Sequence, residues 1–137
     1  MKRYMMAGVT AIALTGATLG AASSAASPGS SDQPRLSAEQ IISKIVGNTI
    51  RYQNDSKNVV NEFYSINGSI QGNSRTSGLY GGEWQIRFGH SLCFVHADPL
   101  QSGCVEVSIS NGHITFYRRD GVVEGPFELR PGNPEHL

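Results

Sequence analysis

After Leu36 the chain changes hydrophobic period once. From Ser37 to Val46 apolar residues recur at helical spacing, with Ile41, Ile42, Ile45 and Val46 on one stripe. The punctuation agrees. Ser37 and Gln40 have the spacing of a capping box, Leu36 and Ile41 that of a hydrophobic staple, and Gly47 supplies a left-handed stop. The pattern predicts a helix over 37–46. A helix this short needs packing to persist, so it is expected to lie against one end of a sheet.

From Asn48 onward the period is two. Strands are expected over 48–53, 59–65, 69–72, 79–88, 91–96, 104–109, 113–118 and 122–129, separated by polar or glycine-containing turns. Asn67-Gly68 predicts a tight hairpin with both central residues at positive φ. Gly81-Gly82 predicts a kink in the fourth strand, and Pro126 an edge position or a bulge near Gly125.

The stretch 82–109 holds the single tryptophan and both cysteines. Trp84, Ile86 and Phe88 share one face of their strand. Leu92 and Phe94 share one face of the next, and Val105, Val107 and Ile109 one face of the third. If Cys93 opposes Cys104 across an antiparallel pair, Leu92 opposes Val105. The apolar side chains then meet on one face and the sulfurs on the other. A Cys93–Cys104 disulfide is expected, stapling the outside of a hairpin.

Eight short strands joined by tight turns suggest a meander, and closing it removes exposed edges. The expected fold is mainly β: a small antiparallel up-and-down barrel of the calycin kind, with a β-sandwich as the alternative. Such a barrel is just wide enough to fill itself or to hold one small ligand. The inward aromatics and aliphatics Tyr52, Phe63, Trp84, Ile86, Phe88, Leu92, Phe94, Val105, Val107 and Phe116 are therefore candidates for core or for a ligand-lining wall.

Composition adds a compartment and removes some partners. Lys2 and Arg3, a short apolar run and small residues up to Ala26 read as a secretory signal peptide over 1–26, cleaved after Ala22 or Ala26. Residues 27–35 read as a disordered linker and 36–137 as one domain. A periplasmic or secreted location follows, which suits a disulfide. No later stretch is long and apolar enough to span a membrane. The chain has 11 Lys and Arg against 11 Asp and Glu, with no basic block beyond Arg118-Arg119. Nucleic acid and anionic membranes are thus disfavoured as primary partners.

No catalytic, cofactor or metal constellation is legible. His90, His96, His113 and His136 lack a matching ligand cluster and read as solvent-facing. No serine stands in a nucleophile elbow. Glu62, Glu83, Asp98, Glu106, Asp120, Glu124 and Glu128 are expected on polar faces or turns.

Gly82-x-Trp84, Leu92-Cys-Phe94, Cys104, Gly112 and Gly132-Asn-Pro134, with the early step Gly47-Asn48-Thr49, resemble the pattern of a family of small exported proteobacterial proteins. The resemblance implies a fold and export, but no activity and no catalytic residues. Gly82-Glu-Trp84 is also similar to a strand of small periplasmic barrels that inhibit proteases or lysozyme, whose protease-directed members space their cysteines differently. The expected function is non-enzymatic binding of a small apolar ligand or an envelope protein partner, without a cofactor. The alternatives are inhibition of a cell-envelope hydrolase through a loop such as 97–103, and an enzyme with dispersed carboxylates.

Overall fold

The structure, a computed structural model, describes residues 33–96 and 102–137. The expected signal peptide, most of the expected linker and loop residues 97–101 lie outside the described residues. Among the described residues one helix, α1 (Ala38–Ile45), precedes eight strands: β1 (Thr49–Gln53), β2 (Val59–Tyr64), β3 (Ser69–Ser74), β4 (Gly78–Arg87), β5 (Ser91–His96), β6 (Gly103–Ser110), β7 (His113–Arg118) and β8 (Val123–Arg130). Each strand pairs antiparallel with the next, and β8 returns to β1, so the sheet closes into a barrel. This is the expected small up-and-down barrel; the sandwich alternative is excluded. No described helix is long and apolar enough to cross a membrane.

Local chemistry explains most boundaries. Ser37 caps α1 reciprocally with Gln40: the Gln40 amide donates to the Ser37 hydroxyl at 3.3 Å, and the Ser37 amide donates to Gln40 Oε1 at 2.9 Å. The helix ends at Ile45, one residue short of expectation, and Gly47 turns the chain at φ +82°. Its apolar stripe is narrower than expected. Ile41 and Ile45 are fully buried, whereas Ile42 is 44 % exposed.

The helix plugs one end of the barrel, and the chain enters through a gap. Pairing between β5 and β6 stops at Leu92 and Val105. Beyond it the Leu36 amide donates to the Val107 carbonyl at 2.8 Å, and the Ala38 amide to the Gly89 carbonyl at 3.2 Å. The entering segment thus satisfies backbone groups that the ladder leaves open. Leu36, Ile41 and Ile45 pack with Ile50, Tyr64, Ile70, Leu92, Val107 and Ile114 to fill that end.

Across the seam, Asn48 and Thr49 clasp Gly132. Asn48 Oδ1 accepts from the Gly132 amide at 2.9 Å, and the Thr49 hydroxyl donates to the Gly132 carbonyl at 2.8 Å. Two separated motifs, Gly47-Asn48-Thr49 and Gly132-Asn133-Pro134, therefore form one latch that closes the barrel.

Two expectations change. At Asn67-Gly68 only Gly68 has positive φ, and Ser65 and Ser69 bracket a longer loop, so this is not the two-residue form. Asn111-Gly112 is the two-residue hairpin, with φ +50° and +73°. Gly81-Gly82 keeps regular pairing to Gln71 and Ile70, with no kink. The bulge near Gly125 is present: the register jumps between Ile114 and Phe116, and both Glu124 and Phe127 consequently oppose inward residues of β7.

Cys93 and Cys104 are bonded and directly opposed, as expected. Cross-linking residues separated by 11 positions stabilises by at most about 3 kcal/mol in the chain-entropy picture. Reduction is expected to lower the melting temperature while far-ultraviolet circular dichroism keeps its β signature at 25 °C. Loss of the β signal on reduction would show the bond to be a condition of folding rather than a staple.

Candidate functional site

The two ends of the barrel are built differently. The helix end is packed with aliphatics; at the other end, among the described residues, the interior is open between the turns after β1, β3 and β7. There a cavity of about 520 Å³ penetrates the interior. One wall is apolar: Phe94, Phe116 and Phe127 stand in a row, with ring centroids 6.2 and 5.4 Å apart, and Tyr52 continues it 5.1 Å from Phe127.

The facing wall is polar and centres on Glu62, which is only 3 % exposed. Inward parity on β2 runs Val60, Glu62, Tyr64, leaving Phe63 half-buried outside. Glu62 Oε1 accepts from the Tyr80 hydroxyl at 2.6 Å and the Tyr52 hydroxyl at 3.3 Å; Oε2 accepts from Tyr64 at 3.2 Å. The His96 ring places Nε2 at 3.4 Å from Oε1, stacks on Phe94 and meets Tyr80 edge-on. Among the described residues neither ring nitrogen of His96 has a hydrogen-bond partner.

Two glycines make this wall compact. In register, Glu62 opposes Gly72, which opposes Tyr80. A Cβ on Gly72 would overlap the Tyr80 ring, so the bare position lets that ring lie across β3 and deliver its hydroxyl to Glu62. Gly82 opposes His96 in the same way, and a Cβ there would come within 2.9 Å of the imidazole. These glycines serve side chains on the neighbouring strand rather than a bend.

The electrostatics keep the phenols protonated. Burial, and then the negative charge of Glu62, push the Tyr52, Tyr64 and Tyr80 hydroxyls well above their ordinary value near 10. They act as donors holding a carboxylate, not as bases. At the rim Glu124 pairs with Arg118 at 3.0 Å, and Asp55 is exposed.

The sequence-derived candidates separate into groups. Tyr52, Phe94 and Phe116 line the cavity. Leu92, Val105 and Val107 belong to the packed core, with Ile86 and Trp84 against it; the Trp84 indole donates to the Ser65 carbonyl at 2.7 Å. Phe88 is a correction. It adopts φ +55° in the turn after β4 and is 73 % exposed, because the strand ends at Arg87. Phe63 is another, since the parity of β2 is set by Glu62 and Tyr64. Two polar expectations also fail: Glu62 does not lie on a solvated face, and His96 is 9 % exposed, unlike the exposed His90, His113 and His136. The signal for His96 was present in the parity of Leu92 and Phe94, whose face it shares.

A larger outer hollow, about 700 Å³, runs between Arg35, Phe88 and the disulfide edge of β6. Its lining charges are half-exposed or exposed: Glu106 meets Arg35 at 3.5 Å and His90 at 3.2 Å, and Arg118 and Arg119 border it. The buried polar cluster is in the barrel mouth, and that is the candidate site. Of the proposed inhibitory loop 97–103, residues 97–101 lie outside the described residues. Among the described residues no group of three or more His, Cys, Asp or Glu is placed to hold a metal ion. Compared with known proteins, the chain matches no family model, no curated protein and no solved structure.

Proposed function

We propose that this is an exported, non-enzymatic binding barrel of the cell envelope that takes a small, largely apolar molecule into its open end. One observation carries the reading: among the described residues the interior is filled at the helix end and hollow at the other, where aromatic rings line a cavity of ligand size. Export is supported by the signal-like N-terminus and the disulfide. Recognition is favoured over proton transfer because the three phenols are kept protonated and each donates its hydrogen to one carboxylate.

The test is titration with N-phenyl-1-naphthylamine, a neutral apolar fluorophore, against the disulfide-bonded protein. Saturable one-to-one binding with a blue shift is expected. Ser74→Trp, which fills the mouth from the end of β3, is expected to weaken binding at least about tenfold, since it removes most of the apolar area available to the probe. Non-saturable emission, or equal affinity in the Ser74→Trp variant, overturns the reading.

A further inference from the structure

We infer that the ligand of the barrel mouth carries a protonated amine, seated on Glu62, with a flat apolar body against Phe94, Phe116 and Phe127. This rests on the binding-barrel reading and adds the chemical class of the ligand.

A phenol has one hydrogen to give, and Tyr52, Tyr64 and Tyr80 each give it to Glu62. What these hydroxyls still offer the cavity is lone pairs. His96 is 6 % exposed by side chain and, among the described residues, has no hydrogen-bond partner on either nitrogen. With its proton on Nε2, toward the carboxylate, its Nδ1 is one more acceptor. Glu62 itself keeps an open site on Oε2, which accepts only from Tyr64. The polar wall therefore presents acceptors around a buried negative charge.

A carboxylate, phosphate or ketone head would face that wall lone pair to lone pair. An ammonium would pair with it, and its several N–H groups match acceptors that converge from β1, β2, β4 and β5. It would also bring a permanent positive charge to a desolvated carboxylate whose neighbour His96, at 3.4 Å, is charged only when protonated. The remaining charges agree. The cavity lining holds Glu62, Asp55 and Glu124 against Arg118, and Arg118 is already engaged by Glu124 at 3.0 Å. The aromatic row opposite suits a flat body, and its ring faces attract a cation that overshoots Glu62.

The experiment is calorimetric titration of the disulfide-bonded protein with three probes of one shape: 2-naphthylmethylamine, 2-naphthalenemethanol and 2-naphthoate. The amine is expected to bind roughly 10- to 100-fold tighter than the alcohol, the range for a hydrogen bond to a charged group, and naphthoate weakest. Glu62→Gln is expected to cut the amine's advantage to about threefold or less while leaving the affinity for the alcohol in place. If the Glu62→Gln variant does not fold, the wild-type series decides alone. Equal binding of amine and alcohol, or tighter binding of naphthoate, overturns the amine assignment. So does an unchanged preference in a folded Glu62→Gln variant. Any of these with retained N-phenyl-1-naphthylamine binding leaves the binding barrel standing. Failure of that fluorophore together with all three probes overturns both.

Discussion

Raising the pH is expected to unfold this barrel cooperatively from about pH 10 upward, with ionisation of the buried tyrosines and loss of β structure in one transition. Tyr52, Tyr64 and Tyr80 all have hydroxyls pushed above their ordinary value near 10, first by burial and then by Glu62. A group that holds its proton more tightly when folded stabilises the fold fully below its unfolded value. The contribution is lost as pH rises from there through the folded value. Each such group contributes a slope of about 1.4 kcal/mol per pH unit. Tyr64, 1 % exposed, carries that slope in full. Tyr52 and Tyr80 are half-buried at the mouth, and solvent screening reduces their share. The total lies between about 1.4 and about 4 kcal/mol per pH unit. A domain stable by roughly 5–15 kcal/mol is exhausted within a few pH units on such a slope. Tyrosinate absorbance and circular dichroism followed together against pH are the measurement. Three phenols ionising near pH 10 with the ellipticity intact would show that the cluster around Glu62 is not closed to solvent.

That cluster is also where reading the chain alone reached its limit. The hairpin from β4 to β6 was legible because each strand has one apolar and one polar parity, and the two cysteines cross-check the register. The barrel was legible from turn spacing. Strand β2 was not. Val59-Val-Asn-Glu-Phe-Tyr64 carries apolar residues on both parities, so local pattern cannot choose between Phe63 inside and Glu62 inside. The choice is made by partners contributed from three other strands: Tyr52, Tyr80 and His96. Buried as a carboxylate with donors, Glu62 is tolerated where an unpaired one would not be. The same distance in sequence hides the use of Gly72 and Gly82, which make room for rings on adjacent strands; Gly82 had looked like a bend signal. His96 is different. Its parity with Leu92 and Phe94 places it inside, although strand-end histidines more often face solvent.

The helix plug gives the other large effect. Ile45→Ala and Ile41→Ala are each expected to destabilise by about 2–5 kcal/mol, the range for truncating a fully buried aliphatic side chain. Both residues are 0 % exposed and lie one turn apart on the same helix face, filling the end that the barrel strands leave open. The helix spans eight residues, so it has little stability of its own and is held by this packing. Loss of one side chain therefore weakens both the core and the element that supplies it. For a domain of about 100 residues the melting temperature is expected to fall by roughly 10–30 °C. Ile42→Ala, on the exposed face, is the control and is expected to shift stability by less than about 0.5 kcal/mol. The cavity opens at the opposite end and shares Tyr64 with the packed end, so probe affinity measured well below the melting temperature is expected to stay within about threefold of wild type, provided Tyr64 keeps its place. Equal losses at Ile42 and Ile45 would mean the helix does not seat as described. A large loss of probe affinity in the Ile45→Ala variant, with stability nearly unchanged, would mean that the two ends of the barrel are not independent: one packed for stability, the other left hollow for a ligand.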